Sequence, residues 1–195
     1  MTSSKHTPVH TSRRNWGFFA RWVGAFIGFP MGGLVAIALV GKIETSLDGL
    51  IGGLAAGAVI GAGHWIASRQ TKLLDWSWII AMSLGLGIGN AVSMALFGAA
   101  TDATSITIRA VVTGGTLGIL QWIALRRHFP QMIWWIVCMT VLYPIAWIIT
   151  RFVIGESVND GFIVFGAAGA LVFQLITGLV LMELQRVFQR QIPNV

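Results

Sequence analysis

Residues 114–127 read GGTLGILQWIALRR, an apolar segment in which stepped glycines lead to an amide, an indole and two arginines. A related segment, GAVIGAGHWIASRQ, occupies residues 57–70, so that Gln121 follows His64 by 57 residues. Self-similarity at a fixed period of this length predicts tandem copies of one supersecondary unit. The equivalent residues of the two segments are Gly57 and Gly114, Gly61 and Gly118, His64 and Gln121, Trp65 and Trp122, and Arg69 and Arg126.

The composition is that of a membrane protein. Hydrophobic residues make up 55% of the 195 residues and charged residues only 10%, and the mean hydropathy is +0.77. A soluble domain carries roughly a quarter charged residues, so the composition argues against a water-soluble globule. A chain of this length holds one domain and about six helices of about 20 residues, the length that crosses ~30 Å of hydrocarbon. The single cysteine, Cys138, has no partner for an internal disulfide.

Six apolar segments have the length and scarcity of charge of membrane helices. They cover residues 16–40, 47–68, 76–97, 106–125, 133–154 and 162–184. Because the connections are short, we expect an all-α membrane protein whose six transmembrane helices form three tandem helical-hairpin repeats. We expect residues 1–15 to be a disordered basic tail, residues 16–188 the six-helix transmembrane domain, and residues 189–195 a short C-terminal tail.

The period of 57 extends to the first, third and fifth helices. A glycine follows each of them, and a helix-breaking residue recurs in the middle of each, which predicts a mid-span break in all three. The sixth helix fits the repeat only with a four-residue slip that places Gln174 opposite Gln121. The glycines are Gly41, Gly98 and Gly155, and the predicted breakers are Pro30, Gly87 and Pro144.

The distribution of positive charge predicts the orientation. One side of the predicted membrane holds ten lysines and arginines and the other holds three. The positive-inside rule therefore places both termini in the cytoplasm and the chain in the cell membrane. Eight of the nine tryptophans fall near the basic side, which predicts an interfacial belt. Since orientation accounts for the net charge of +6, no nucleic-acid partner is predicted.

Glycines recur at steps of three and four on several helices, which keeps each set on one helix face. Bare backbone lets helices approach closely, so we expect these glycines to form helix–helix contacts. The alternative is that they line a pore or cradle a ligand. The set comprises Gly24, Gly28, Gly32, Gly53, Gly57, Gly61, Gly114 and Gly118.

The fifth predicted helix, residues 133–154, departs from this pattern. It contains no glycine and carries several bulky aromatic side chains. Such a surface suits lipid or a protein partner better than close backbone packing. We therefore expect the helix to face the lipid bilayer, with docking of a partner subunit as the alternative.

His64, Gln121 and Gln174 occupy one position in each hairpin, about a turn inside the basic side. In a threefold bundle they would converge into a polar ring, which Asn90 of the third helix would join. Intramembrane polar groups are a functional hypothesis by default. Three interpretations stand: hydrogen bonding between helices, a solute-binding or conducting ring, and a pigment or haem ligand at His64.

No enzyme constellation is present in the sequence. The predicted spans hold no paired carboxylates, no metal-binding histidine or cysteine spacing, and no nucleophile beside a base. We therefore predict a non-enzymatic protein without a cofactor, acting as a scaffold or regulatory bundle. The alternative is a small-solute or ion transporter or channel that uses the polar ring near the cytoplasmic side.

The string Gly-x-x-Gln-Trp-x-x-Leu-Arg, followed by a tryptophan-rich helix, resembles a motif of uncharacterised bacterial multi-pass membrane proteins. Here it is formed by Gly118, Gln121, Trp122, Leu125 and Arg126. The first hairpin departs from it by carrying a histidine and a serine in place of the glutamine and the leucine. The resemblance implies repeated helical hairpins and carries no activity with it.

Overall fold

The computed structural model describes residues 9–100, 102–154 and 167–191 of the chain. Regular secondary structure in these residues is helical throughout. Six helical segments among them are long and apolar enough to cross a membrane, as the sequence predicts. These segments are Trp16–Val40, Ser46–Ser68, Ser77–Phe97, Ala103–Leu125, Trp134–Val153 and Ala168–Arg186.

The first span is composite and the other five are single helices. In the first span a 3₁₀ turn, Ala25–Ile27, joins α1 (Val9–Gly24) to α2 (Gly28–Val40). The remaining helices are α3 (Ser46–Ser68), α4 (Ser77–Phe97), α5 (Ala103–Leu125), α6 (Trp134–Ile154) and α7 (Ala167–Gln191).

Both terminal helices extend past the boundaries expected from hydropathy. Helix α1 begins at Val9, inside the segment expected to be a disordered tail, and α7 ends at Gln191, beyond residue 188. A helix satisfies its own backbone hydrogen bonds, so it continues past its apolar stretch without loss. The rest of the two predicted tails, residues 1–8 and 192–195, lies outside the described residues. So does the segment 155–166, with the predicted start of the sixth span.

Polar side chains cap the helices that begin at the acidic loops. The Thr45 hydroxyl accepts a hydrogen bond from the backbone N–H of Asp48, and the Asp48 carboxylate accepts one from the N–H of Thr45. This reciprocal capping box starts α3. Asp102 caps α5 by accepting hydrogen bonds from the N–H groups of Thr104 and Ser105.

Two glycines end helices in conformations that L-residues avoid. Gly41, after α2, has φ of 67°, and Gly98, after α4, has φ of 69°. A residue with a Cβ is strained in this region of φ, so glycine is the natural terminator of both helices. The two lie 57 residues apart, as the sequence period requires.

The predicted mid-span break occurs in the first span only. The 3₁₀ turn Ala25–Ile27 precedes Pro30, which lacks the N–H that a regular helix would need. Helix α4 is continuous through Gly87, and α6 is continuous through Pro144, so the prediction is wrong for both. At Gly87 the missing side chain serves packing, because a Cβ there would lie 2.7 Å from the Leu54 side chain.

The six spans form a closed ring in chain order. Helix α2 packs on α3, α3 on α4, α4 on α5, α5 on α6 and α6 on α7, and α7 returns to pack on α1. Short connections make neighbouring spans antiparallel, so the loops after α3 and after α5 lie at one end of the ring. This end, called the basic end below, carries Arg69, Lys72, Arg126 and Arg127.

Glycines mediate the contact between α5 and α6. A Cβ at Gly114 would lie 2.6 Å from the carbonyl oxygen of Met139, and a Cβ at Gly118 would lie 3.0 Å from Cα of Ile136. A larger residue at either position would force the two helices apart. The close approach gives dispersion contacts, which drive helix association where lipid supplies no hydrophobic force.

The contact between α3 and α4 is formed by glycines that lie 57 positions before those of the α5–α6 contact. Gly57 lies against the backbone of Met82, and a Cβ at Gly61 would lie 2.9 Å from Cα of Ile79. Gly53 continues this face against the carbonyl of Leu86. The contacts of Gly57 and Gly61 are therefore equivalent to those of Gly114 and Gly118, over about one turn of helix.

The contact between α2 and α3 involves Gly28 and Gly32. A Cβ at Gly32 would lie 2.9 Å from the Ala56 carbonyl oxygen, and one at Gly28 would lie 3.3 Å from Cα of Ile60. Gly24 lies apart from this interface: it is exposed, and a Cβ there would meet nothing within 4 Å. The 3₁₀ turn between Gly24 and Gly28 changes the helical advance per residue, so the two glycines do not share a face.

Candidate functional site

The three residues of the predicted polar ring are buried inside the bundle. The exposed fractions of His64, Gln121 and Gln174 are 1%, 2% and 0%. His64 and Gln174 meet directly, because Nε2 of His64 lies 3.0 Å from Oε1 of Gln174. Gln121 belongs to a second, adjacent group of hydrogen bonds. The structure thus brings two of the three into contact and places the third close by.

Both ring nitrogens of His64 have protein partners. The indole N–H of Trp78 lies 3.4 Å from His64 Nδ1. An indole nitrogen is a donor only, so Nδ1 must be the unprotonated acceptor. The proton of the neutral ring is therefore on Nε2, which donates to Oε1 of Gln174. Ligation of a metal or haem by His64 would require one of these bonds to break.

The chain of hydrogen bonds continues from Gln174 into the first span. The Gln174 amide Nε2 donates to the backbone carbonyl of Trp22. The Trp22 indole N–H donates to the Thr177 hydroxyl at 3.2 Å, which donates in turn to the backbone carbonyl of Phe173. Each side-chain nitrogen and oxygen in this series of bonds has a protein partner, and the series ties α4, α3, α7 and α1 together.

Aromatic rings enclose the His64 imidazole. The Trp22 ring stacks on it with a centroid separation of 4.3 Å and an interplanar angle of 22°. Phe29 and Trp78 lie 6.0 and 6.5 Å away, centroid to centroid. The imidazole is therefore held between apolar ring faces as well as by its two hydrogen bonds.

Gln121 has an equivalent partner on α6. The Trp135 indole N–H donates to Oε1 of Gln121 at 2.8 Å. The Gln121 amide nitrogen donates to the sulfur of Met82 on α4 at 2.7 Å. Because thioether sulfur is a weak acceptor, the Trp135 bond is the main polar contact of Gln121.

Three buried tryptophans, absent from the sequence-based site, lie side by side in the core of the bundle. Trp22 lies 6.4 Å from Trp78, and Trp78 lies 6.5 Å from Trp135, between ring centroids. They come from the first, third and fifth spans, while the polar ring residues come from the second, fourth and sixth. Their assignment to an interfacial belt is wrong, because each is no more than 1% exposed.

A sequence signal for two of these tryptophans existed. Trp78 follows His64 by 14 residues, and Trp135 follows Gln121 by the same interval. The third buried tryptophan, Trp22, lies near the start of the chain, whereas its partner Gln174 lies near the end, so no local spacing predicts their contact. Tryptophans that do fit an interfacial position are the exposed Trp16, Trp76 and Trp134.

Asn90, the fourth predicted member of the ring, lies elsewhere on α4. It follows Met82 by eight residues, about two turns towards the opposite end of the span. Its carbonyl accepts a hydrogen bond from the Ser93 hydroxyl, and a Cβ at Gly49 would lie 3.3 Å from its backbone. Its side chain is not among the hydrogen-bond partners of His64, Gln121 or Gln174.

The basic end is closed by apolar side chains from its own loops. Leu73 and Leu74 of the α3–α4 loop and Phe129 and Met132 of the α5–α6 loop are all buried. Gln185 of α7 lies on the same helix face as Gln174, three turns further on, and is fully buried. Among the described residues, neither its amide oxygen nor its amide nitrogen has a hydrogen-bond partner.

A cavity of about 70 Å³ lies between α6, α7 and Phe29 of α2. Its lining is almost entirely apolar and includes none of His64, Gln121 and Gln174. It is formed by Phe29, Tyr143, Ala146, Trp147, Thr150, Ala170 and Phe173. Within the described ranges, no group of three or more histidine, cysteine or acidic side chains is placed to hold a metal ion.

Comparison of the chain with protein-family models, with curated proteins and with solved structures gives no match. The resemblance of the Gly-x-x-Gln-Trp-x-x-Leu-Arg string to bacterial multi-pass proteins stays a prediction. What the buried site does must therefore be inferred from its own contacts.

Proposed function

We propose that this chain is a non-enzymatic multi-pass integral membrane protein whose ring of spans acts as a rigid scaffold or regulatory bundle. One observation carries the proposal. The hydrogen-bond chain runs from Trp78 through His64 and Gln174 to Trp22 and uses acceptors of the protein itself. In a ring that bound a solute, some polar atoms would lack a protein partner, whereas each side-chain nitrogen and oxygen of His64, Gln121 and Gln174 has one.

The energetics favour a structural role for these bonds. A hydrogen bond between membrane helices contributes about 0.6 kcal/mol on average and rarely more than about 1.7 kcal/mol. Breaking the His64–Gln174 bond to admit a solute would also leave buried polar groups unpaired, at a further cost. Stacked Trp22 fills the space beside the imidazole. The site is therefore suited to fixing the arrangement of the spans.

We further propose that the spans derive from three tandem helical hairpins. The equivalence of the α3–α4 and α5–α6 contacts supports this, since Gly61 and Gly118 meet residues that are also 57 apart. The two equivalent hydrogen-bonded pairs, His64 with Trp78 and Gln121 with Trp135, support it as well. The first and last spans meet through different bonds, since the Gln174 amide donates to the Trp22 backbone carbonyl and the Trp22 indole donates to the Thr177 hydroxyl.

The proposal includes an orientation in the cell membrane with both termini in the cytoplasm. Positive charge supports it, because the loops after α3 and α5 are rich in arginine and lysine. The opposite loops carry the capping carboxylates Asp48 and Asp102. Labelling of a cysteine placed at Lys72 by an impermeant reagent in intact cells would contradict this orientation.

A scaffold needs a face for its partner, and we propose α6. Its outward side chains form an apolar stripe at spacings of three and four residues, the pattern by which helices pack along a seam. A photo-activatable amino acid placed along this stripe should form crosslinks to a partner in native membranes. Its members are Trp134, Val137, Val141, Ile145, Ile148 and Phe152.

Water accessibility of the polar ring tests the scaffold proposal against a transporter. In a Cys138→Ala background, a cysteine at Gln121 should not react with a charged, membrane-impermeant thiol reagent in open membrane sheets. A cysteine at the exposed Lys72 should react, and one at the lipid-facing Ile123 should react only with an apolar maleimide. Rapid charged labelling at position 121 would show a water-filled path and favour the small-solute or ion transporter or channel.

A further inference from the structure

Two identical tryptophan–arginine pairs stand at the basic end of the ring. The guanidinium carbon of Arg69 lies 5.0 Å from the centre of the Trp65 ring, and that of Arg126 lies 5.6 Å from the centre of the Trp122 ring. Each arginine is the C-cap of its helix, α3 or α5. The pairs are 57 residues apart, so the same local geometry is built twice.

The arginines of both pairs are exposed. Among the described residues, the ion pair observed is Arg186 with Glu183, at 2.6 Å. No carboxylate of the described ranges forms an ion pair with Arg69 or Arg126. The nearest loop carboxylate in sequence, Asp75, accepts hydrogen bonds from Ser77 instead.

The pairs lie where the apolar surface of the bundle ends. Ile66 and Ile123, each directly after the tryptophan of its pair, are exposed and belong to membrane-spanning segments. About one turn later each helix ends at its arginine, and the polar loop follows. This is the depth at which phospholipid headgroups lie, beside a surface whose fixed charge is positive.

We propose that the Trp65–Arg69 and Trp122–Arg126 pairs are binding sites for the headgroups of anionic phospholipids. The indole face holds the guanidinium at the level of the headgroups through a cation–π contact. The guanidinium can then donate two parallel hydrogen bonds to two oxygens of the lipid phosphate. The net negative charge of the lipid complements the basic end, as expected for juxtamembrane arginines. The inference stands apart from the scaffold proposal.

The test measures lipid binding to purified protein in mixed micelles by native mass spectrometry, with phosphatidylglycerol and phosphatidylcholine of matched chain length. Wild-type protein should retain two phosphatidylglycerol molecules in preference to phosphatidylcholine. The Arg69→Gln/Arg126→Gln variant should lose this preference, with about fivefold weaker binding per arginine removed, from about 1 kcal/mol per basic residue at a membrane surface. Arg186→Gln, whose charge Glu183 already neutralises, is the matched control and should bind as wild type does.

A second variant separates the built site from diffuse charge. Trp65→Leu/Trp122→Leu keeps both arginines but removes the ring face, and it should also weaken phosphatidylglycerol binding. Millimolar inorganic phosphate should not displace the lipid from wild-type protein. Undiminished preference in either double variant, loss of preference in Arg186→Gln, or displacement by free phosphate would each overturn the proposal.

Discussion

Trp135 donates its indole N–H to Gln121, 14 residues earlier, across 2.8 Å at the α5–α6 interface. Trp78 has the same relation to His64 at the interface between α3 and α4. In both cases an even-numbered span supplies the acceptor and the next span supplies the indole. A buried indole N–H needs such a partner, so the pairing fixes which face each helix turns inward.

We predict that Gln121 and Trp135 are energetically coupled. Gln121→Leu leaves the indole N–H unpaired and Trp135→Phe leaves the amide oxygen unpaired, so each single variant should lower the free energy of unfolding. The double variant should lose less than the sum, by about 0.6 kcal/mol and at most about 1.7 kcal/mol. Reversible unfolding in mixed detergent micelles measures this, with the half-exposed Trp134→Phe as control. Strict additivity would mean that the bond contributes nothing.

We predict opposite effects on stability when alanine replaces Gly118 of α5 and Gly24 of α1. Gly118→Ala should destabilise by about 1–3 kcal/mol, because its Cβ would lie 2.9 Å from Cβ of Met139 on α6. Gly24→Ala should be neutral or stabilising by up to about 1 kcal/mol, because its backbone is helical and the space beside it is open. Thermal unfolding of the two variants decides the matter, and equal tolerance would place Gly118 away from any tight interface.

The glycine faces were predictable from sequence because their cause is local. Steps of three or four residues place small side chains on one helix face whatever lies opposite, and Gly57 and Gly118 follow that rule. Gly24 does not, because the Pro30-linked 3₁₀ turn interrupts the helical register. That interruption depends on how one span bends, which the spacing of glycines does not reveal.

Three of the four predicted members of the polar site are buried there, whereas Asn90 lies elsewhere and the tryptophan partners were not predicted. A histidine and two glutamines at equivalent positions indicate convergence, since isolated polar groups are costly in a membrane. The buried tryptophans were wrongly predicted to lie at the interface, because indoles favour membrane interfaces as well as buried sites with an acceptor. Only the tertiary arrangement shows that Trp22 reaches Gln174 and Thr177, over 150 residues away in sequence.

We predict that the cap at Asp102 makes stability depend on pH in the acid range. Hydrogen bonds from Ser105, and then from the N–H of Thr104, lower the pKa of the Asp102 carboxyl below its ordinary value. A carboxyl with a lowered folded-state pKa stabilises the protein above its unfolded-state pKa of about 3.9, and this contribution disappears as the pH falls through the folded-state value. Asp102→Asn should therefore be less stable than wild type at pH 7 and nearly equal to it at the acid limit of reversible unfolding. A constant difference across that range would exclude the ionised cap as its source.

The last prediction concerns Gln185, which is buried on the same face of α7 as Gln174 but has no hydrogen-bond partner for either amide atom. Methionine has a similar length and shape without the amide, so Gln185→Met removes two unpaired polar groups and keeps the packing. It should raise the free energy of unfolding by about 1 kcal/mol or more, since an unsatisfied buried polar group costs about 1–3 kcal/mol. Gln174→Met is the matched comparison and should destabilise, because it deprives His64 and the Trp22 carbonyl of their partners. Unfolding of both variants in the same micelles gives the answer. If Gln185→Met destabilises as much as Gln174→Met, the Gln185 amide is paired in the membrane, through an enclosed water or a bound partner at the basic end.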